Sequence, residues 1–379
     1  MRLPLVLAFT ALTFLSWGAY GPVLHRGSEA LHHDTLRAFV GVGLAYFLIA
    51  VLLPLALLRK LREGGRWTIR GSVFSFLAGA VGAIGALGVI LALVYGGKPV
   101  YVMPLVFGFA PVVNTLVTAT LSGTFNQIRP IFVAGILAAA VGAAGVLYFK
   151  PAPAAASAKV SSQPSSVTEH QDEEDVSGES HDGQVEEDAN ASAAGVQASA
   201  SADAEPVAEP TQSATGDFAR VVISIALAAL CWGSYGPLLH IGQARMAGSR
   251  LRPFICVGVA YFIIAVAAPL VIIAMDGGFG AVTQNWTTAG LFWSFMAGAA
   301  GAIGALGVVL AFNAGGKPYY VMPLIFGFAP VVNTSISLTL SGAWGLVAWP
   351  FWLCLATVIV GAVTVLITAP RAKPKPSLV

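Results

Sequence analysis

Charge is what this chain has least of. Only 10% of its 379 residues are Asp, Glu, Lys or Arg, whereas 56% are apolar. Soluble domains have about 25% charged residues, so this composition excludes a soluble globular protein. Apolar windows of about 20 residues recur along the chain, and each is long enough to cross about 30 Å of hydrocarbon. The sequence therefore predicts an all-α polytopic membrane protein.

Carboxylates are almost absent from the apolar segments. Thirteen of the 18 acidic residues lie between Glu169 and Glu209. No segment holds a paired acid, a zinc-protease motif or a nucleophile beside a base, so we expect neither enzymatic activity nor a cofactor. The net charge of +2 gives no reason to expect nucleic acid as a partner, because the basic residues lie where membrane topology places them.

Cysteine is also scarce. Cys231, Cys256 and Cys354 are the three cysteines of the chain, and all fall inside apolar segments. Cysteine in such a setting behaves as a small apolar residue. Since no Cys or His spacing is typical of a metal centre, we expect no metal site.

What the chain has instead is a nearly complete internal duplication. Residues 75–115 recur as residues 294–334, with 33 of 41 positions identical. Earlier segments also match, so that Trp17 corresponds to Trp232. We predict five spans in each copy, at about 3–22, 38–58, 72–95, 101–121, 130–149, 219–239, 253–275, 288–313, 319–341 and 348–369. The predicted domains are a first five-helix repeat at 1–150 and a second at 217–370.

The distribution of Lys and Arg predicts the orientation. If the basic loop after the second span is cytoplasmic, 14 of the 20 Lys and Arg residues lie on that side, and so do both termini. Because each copy has five spans, equivalent spans must then cross in opposite directions. Inverted repeats of this kind are typical of secondary transporters, whose substrate sites lie between the repeats.

Two regions outside the spans differ in composition. Residues 151–216 are rich in Ala, Ser and Glu and have few large apolar side chains. They cannot bury enough surface to fold, so we predict a disordered acidic linker outside the cytoplasm. Residues 371–379 form a predicted basic cytoplasmic tail.

The fourth and ninth spans carry prolines seven residues apart. Each proline removes an amide N–H and frees a carbonyl group. Prolines seven residues apart lie on one face of the helix. This proline face either lines an interior cavity, or belongs to a kinked helix whose Asn bonds a neighbouring helix. The predicted helix-break and gating residues are Pro104, Gly108, Pro111, Pro323, Gly327 and Pro330, with Lys98 and Lys317 in the preceding turns.

Amide and aromatic side chains are the candidate substrate-binding groups. Asn114 and Asn333 can both donate to and accept from a neutral polar ligand. Aromatic rings with polar tips suit sugar or heterocycle faces, although such residues also anchor spans at membrane interfaces. The aromatic candidates are Trp17, Tyr20, Tyr46, Trp232, Tyr235 and Tyr261. His25 and His240 are the candidates for proton coupling, because histidine titrates near neutral pH.

Glycines recur every third residue in the third and eighth spans. They are Gly79, Gly82, Gly85 and Gly88, with copies Gly298, Gly301, Gly304 and Gly307. Small residues let helices approach closely in lipid. The stripe indicates either close packing alone, or a helix that slides between two states.

These features together resemble a known family. The Trp-Gly pair in the first span, the five-plus-five spans, the Gly/Ala-rich third span and the Val-Met-Pro start of the fourth are similar to the drug/metabolite transporter superfamily. The bacterial glucose/ribose-type sugar porters are the nearest branch. The resemblance implies a central cavity between halves, alternating access and a bacterial inner membrane location.

The expected function is a secondary transporter or facilitator of a small polar, sugar-like metabolite, in which the two halves rock about a central site. Its partners would be a small-molecule substrate, the lipid bilayer and a coupling ion, proton or sodium, of unknown identity. One alternative is an exporter of amino acids or amphipathic compounds. The other alternative, from a different class, is a non-transporting membrane sensor or scaffold that acts through the acidic linker.

Overall fold

The computed structural model describes residues 3–61, 63–121, 123–151, 211–316 and 318–369. Within these ranges the chain is helical and contains no strand. Ten helical segments are long and apolar enough to cross a membrane, so the protein is an integral multi-pass membrane protein. They are α1 (Leu3–Ala30), α2 (Thr35–Lys60), α3 (Ile69–Val94), α4 (Pro99–Leu121), α5 (Pro130–Tyr148), α6 (Thr211–Arg245), α7 (Leu251–Ala281), α8 (Thr288–Asn313), α9 (Pro318–Ser341) and α10 (Trp349–Thr368).

Two of these helices contain a wider turn at the same place in each copy. A π-helical turn interrupts α2 at Phe47–Leu52, and another interrupts α7 at Ile263–Ala267. The first begins directly after Tyr46, and the second begins two residues after Tyr261. Single π turns within α-helices are frequent at functional sites.

Helices α1 and α6 are longer than the apolar runs that predicted them. Helix α1 continues through Pro22 to Ala30, and α6 begins at Thr211, inside the predicted linker. The last turns of α1 stay helical because they lie against α8, where Gly27 contacts Ser294. The remainder of the predicted linker, the basic tail and Lys317 lie outside the described residues.

Helices α4 and α9 are continuous. Both run through their two internal prolines without interruption, which corrects the prediction of a helix break at Pro104 and Pro111 and at their copies Pro323 and Pro330. Each proline removes only one intrahelical hydrogen bond, and the bonds on either side of it hold the helix. Helix α4 is also buried along most of its first three turns, which supports it from outside.

The two copies do not form separate bundles. Helix α1 packs on α8 and α9, α2 packs on α8, α3 packs on α7, and α5 packs on α10. Helix α3 also contacts α6, where Gly88 meets Ala228. Most helices therefore pack on the opposite copy, and the expectation that the two halves rock about a central site stays a prediction. We call α1, α2, α3, α6, α7 and α8 the frame helices, and α4 and α9 the gate helices.

The glycine stripes allow the closest of these contacts. A Cβ atom at Gly79 would lie 2.7 Å from the Cα of Val257, and one at Gly298 would lie 2.7 Å from the Cα of Val42. These neighbours are backbone atoms, which cannot rotate away. The stripes therefore serve close packing between the two copies.

Polar contacts tie the ends of the frame helices together, again in matching pairs. The Thr68 hydroxyl donates to the Arg245 carbonyl at 3.0 Å, and the equivalent Thr287 hydroxyl donates to the Ala30 carbonyl at 2.6 Å. Each tie joins the start of a glycine-striped helix to the end of a helix from the other copy. The same kind of hydrogen bond, from a Thr hydroxyl to a carbonyl at a helix end, therefore joins frame helices in both places.

Candidate functional site

A cavity of about 80 Å³ lies where the frame helices meet the gate helices. That volume admits several waters or a small ligand. Its walls come from both copies, and none of the described residues that form them is charged. The lining residues are Trp17, Tyr20, Tyr46, Gly82, Phe107, Ala110, Trp232, Tyr235, Tyr261, Gly301, Ala305 and Phe326. All six aromatic residues predicted to face substrate are therefore brought together.

The two tryptophans are held by the glycine stripes. The Trp17 indole N–H donates to the Gly301 carbonyl at 3.1 Å, and the Trp232 indole donates to the Gly82 carbonyl at 3.1 Å. Any side chain on Gly304 would overlap the Trp17 ring. Because the indole N–H groups are satisfied by the protein, the rings offer mainly their apolar surfaces to the cavity.

Two tyrosines meet face to face at the centre of the molecule. The rings of Tyr46 and Tyr261 are stacked, with centroids 3.7 Å apart and planes 4° apart. These two residues correspond to each other in the duplicated sequence, so the stack joins equivalent positions of the two copies. A Cβ at Gly301 would lie 2.8 Å from the Tyr46 hydroxyl oxygen, so the glycine stripe also makes room for this pair.

Two phenylalanines in the gate helices complete the aromatic wall. Phe107 and Phe326 lie with ring centroids 6.3 Å apart, and each also approaches a tryptophan at 6.4 Å. Neither ring was among the residues predicted from the sequence to face substrate. Their position midway between the two prolines of each gate helix was the available signal, because it places them on the proline face.

The cavity is not symmetric. Tyr20 is 3% exposed and packs edge-on against Trp232, with centroids 5.7 Å apart. Its hydroxyl has no hydrogen-bond partner among the described residues. The equivalent Tyr235 is only partly buried. The cavity is thus closed beside Tyr20 and more open beside Tyr235.

The two asparagines lie outside this cavity. Asn333 is fully buried, and its side-chain amide donates to the Pro99 carbonyl at 2.7 Å. This is the bond to a neighbouring helix that the second interpretation of the proline-containing helices predicted. Asn114 is partly buried and lies beside Gly236. Neither asparagine is among the residues that line the cavity, so their location does not support direct contact with a ligand there.

The two candidate coupling histidines and Lys98 are not among the residues that line the cavity. The His25 Nε2 atom is 3.1 Å from a Glu29 carboxylate oxygen and 3.5 Å from the Lys98 ammonium nitrogen. His25 lies inside α1 rather than at its end, whereas His240 is exposed in α6. Neither histidine lines the cavity, and a role in proton coupling stays a prediction.

The fold and the cavity define the class of the molecule: an all-α multi-pass membrane protein, built from a duplicated set of five helices around a neutral aromatic cavity. Comparisons with models of protein families, with curated proteins and with solved structures find no match to this chain. The resemblance to the drug/metabolite transporter superfamily therefore stays a prediction that rests on the residues alone.

Proposed function

We propose that the protein is a secondary transporter or facilitator of a small, uncharged, polar metabolite with a flat face, such as a sugar or a heterocycle. The observation that carries this proposal is the aromatic cavity shared by both copies. A small ligand there would lie between aromatic faces and could bond tyrosine hydroxyls such as that of Tyr20, which has no partner among the described residues.

The duplication supports a transport mechanism. Five crossings in each copy would make the repeats inverted, and the stack of Tyr46 on Tyr261, two residues that correspond in the duplication, supports a common axis near the cavity. In inverted repeats, an exchange of conformation between the copies exposes a central site to opposite sides of the membrane. The excess of Lys and Arg predicts that both termini are cytoplasmic.

The absence of charge in the described wall narrows the ligand class. A carboxylate or ammonium group brought into this cavity would lose water without gaining an ionic partner, which costs several kcal/mol or more. Neutral ligands avoid that cost. The apolar area of the wall also favours amphipathic compounds, so export of such compounds is the second candidate.

A ligand screen tests the proposal directly. Purified protein would be heated in the presence of neutral sugars, nucleosides, amino acids and amphipathic compounds, and each compound that raises the melting temperature would be tested for counterflow in liposomes. We expect hits among neutral polar compounds, and counterflow for at least one of them. Counterflow only of amphipathic compounds would favour the second candidate, and hits without any counterflow would contradict transport.

A matched pair of variants locates the ligand. Tyr20→Phe removes only a hydroxyl in the cavity, whereas Tyr148→Phe removes a hydroxyl that is exposed at the end of α5. We expect Tyr20→Phe to weaken binding of the hit about fivefold to tenfold, by the loss of one hydrogen bond. Tyr148→Phe should leave the affinity unchanged. Equal affinities in both variants would place the ligand elsewhere.

A further inference from the structure

The two gate helices have nearly the same sequence but different surroundings. In α4, Met103 is completely buried, and Pro104 and Gly108 are buried with it. In α9, the equivalent Met322, Pro323 and Gly327 are only partly buried. Because these residues are identical in both copies, their different burial comes from their surroundings and not from their own side chains.

Residues of three helices fill one space beside α1, which we call the closed gate. The Met103 side chain of α4 fills the space beside Gly21 of α1, where any Cβ would overlap it. Asn333 of α9 lies at the same place, with its Oδ1 atom 2.9 Å from the position of that Cβ. Its amide group donates to the Pro99 carbonyl at the start of α4, which fastens the first turn of α4 to α9.

The equivalent place in the other copy is open. Gly236 of α6 corresponds to Gly21, and among the described residues only Asn114 lies within 4 Å of a Cβ built there. Met322, the counterpart of Met103, does not reach it. Asn114 is therefore in position beside its glycine, but the methionine that would close this gate is withdrawn.

We propose that Asn333 and Asn114 are positioning residues that latch the two gates in turn. In the state seen here, the bond from Asn333 to the Pro99 carbonyl holds the α4 gate shut. In the opposite state, Asn114 bonds the carbonyl of Pro318 and Met322 fills the space beside Gly236, while Asn333 releases Pro99. This inference deepens the proposed transport function, on which it rests.

Cysteine labelling measures the state of each gate without any substrate. Leu24 follows Tyr20 by one turn of α1, next to the closed gate, and is completely buried. Its counterpart Leu239, next to the open gate, is partly buried. We would introduce Leu24→Cys or Leu239→Cys into a protein with Cys231→Ala, Cys256→Ala and Cys354→Ala, and measure labelling rates with a hydrophilic thiol reagent in detergent.

Removal of the latch should open the closed gate. In Asn333→Ala, we expect labelling at the Leu24→Cys position to rise about threefold to tenfold, which is the effect of one interhelical hydrogen bond in a membrane protein, and labelling at the Leu239→Cys position to fall. Asn333→Asp, which keeps the size but loses the amide donor, should behave in the same way. Asn114→Ala is the matched control and should leave labelling at Leu24→Cys slow.

Two results would overturn the latch. One is unchanged labelling at Leu24→Cys in folded Asn333→Ala and Asn333→Asp; the other is an equal rise in Asn114→Ala. If the Asn333 variants do not fold, Met103→Ala tests the same gate by removing the side chain that fills it, and unchanged labelling there also counts against the proposal. A correct labelling shift without counterflow of any compound would refute transport while leaving the latch intact.

Discussion

The frame helices and the gate helices are both present twice, yet they behave differently when their two copies are compared. Frame contacts repeat closely: Trp17 bonds Gly301 as Trp232 bonds Gly82, and both bonds are 3.1 Å long. Gate contacts do not repeat, because Met103 fills a space that its copy Met322 leaves open. Under the proposed mechanism, contacts that repeat would be kept in both states, whereas contacts that differ would be broken and remade.

The largest effect is expected from a change in the frame. Gly298→Val would place a side chain 2.5 Å from the Val42 carbonyl oxygen, and neither helix can move away without breaking several symmetric contacts. Overpacking of this kind costs about 3 kcal/mol or more, so we expect little folded protein. Expression yield and thermal melting in detergent would measure it.

The control for that variant is a glycine with free space. Nothing lies within 4 Å of a Cβ at Gly345, so Gly345→Ala should melt like the parent protein. A stable, well-expressed Gly298→Val would show that the frame is looser than the structure indicates.

The next largest effect concerns the tryptophan clamps. Trp17→Phe and Trp232→Phe each keep an aromatic ring but lose a hydrogen bond to a glycine carbonyl, and we expect each to cost about 1–2 kcal/mol. The two losses should be equal, since the bonds are equivalent. Thermal unfolding of the two variants side by side would check this. Losses of stability that differ by more than about 1 kcal/mol would contradict the equivalence of the two hydrogen bonds.

A pair of equivalent glycines in the gate helices should respond unequally to substitution, unlike the tryptophan pair. A Cβ at Gly108 would overlap the Val358 side chain, whereas one at Gly327 has its nearest neighbour at 3.7 Å. We therefore expect Gly108→Ala to destabilise the present state by about 1 kcal/mol and Gly327→Ala to have almost no effect. The Leu24→Cys reporter would show which gate responds, and equal responses would contradict the assigned asymmetry.

The smallest effect is expected at the ends of the frame. Thr287→Val removes a part-buried hydroxyl that bonds the Ala30 carbonyl, and Thr68→Val removes an exposed one that bonds the Arg245 carbonyl. We expect losses of about 1 kcal/mol and about 0.5 kcal/mol, since water replaces the exposed bond more easily. Melting curves would rank them, and the reverse order would count against burial as the cause.

Much of this architecture could be predicted from composition and repetition. Apolar runs located all ten helices, and the duplicated Trp-Gly-X-Tyr-Gly-Pro segment identified Trp17, Tyr20 and their copies as candidates. Helix ends were harder to predict, because the polar residues after Pro22 lower the hydropathy while packing against α8 keeps them helical. The asparagines were assigned to a ligand because their amide chemistry is visible in the sequence, whereas their bonding partner on another helix is not.

The sequence by itself determined that each of the five predicted spans of the first copy recurs in the second, and that no charge lies at the centre of these spans. Local preferences follow from local residues, so two nearly identical segments form nearly identical helices. Tertiary structure alone decided that the copies interleave, that Tyr46 meets Tyr261, and that Met103 fills the space beside Gly21 while Met322 leaves the equivalent space beside Gly236 open. Met103 and Met322 are the same residue in nearly identical segments, so the difference arises from what packs against each of them.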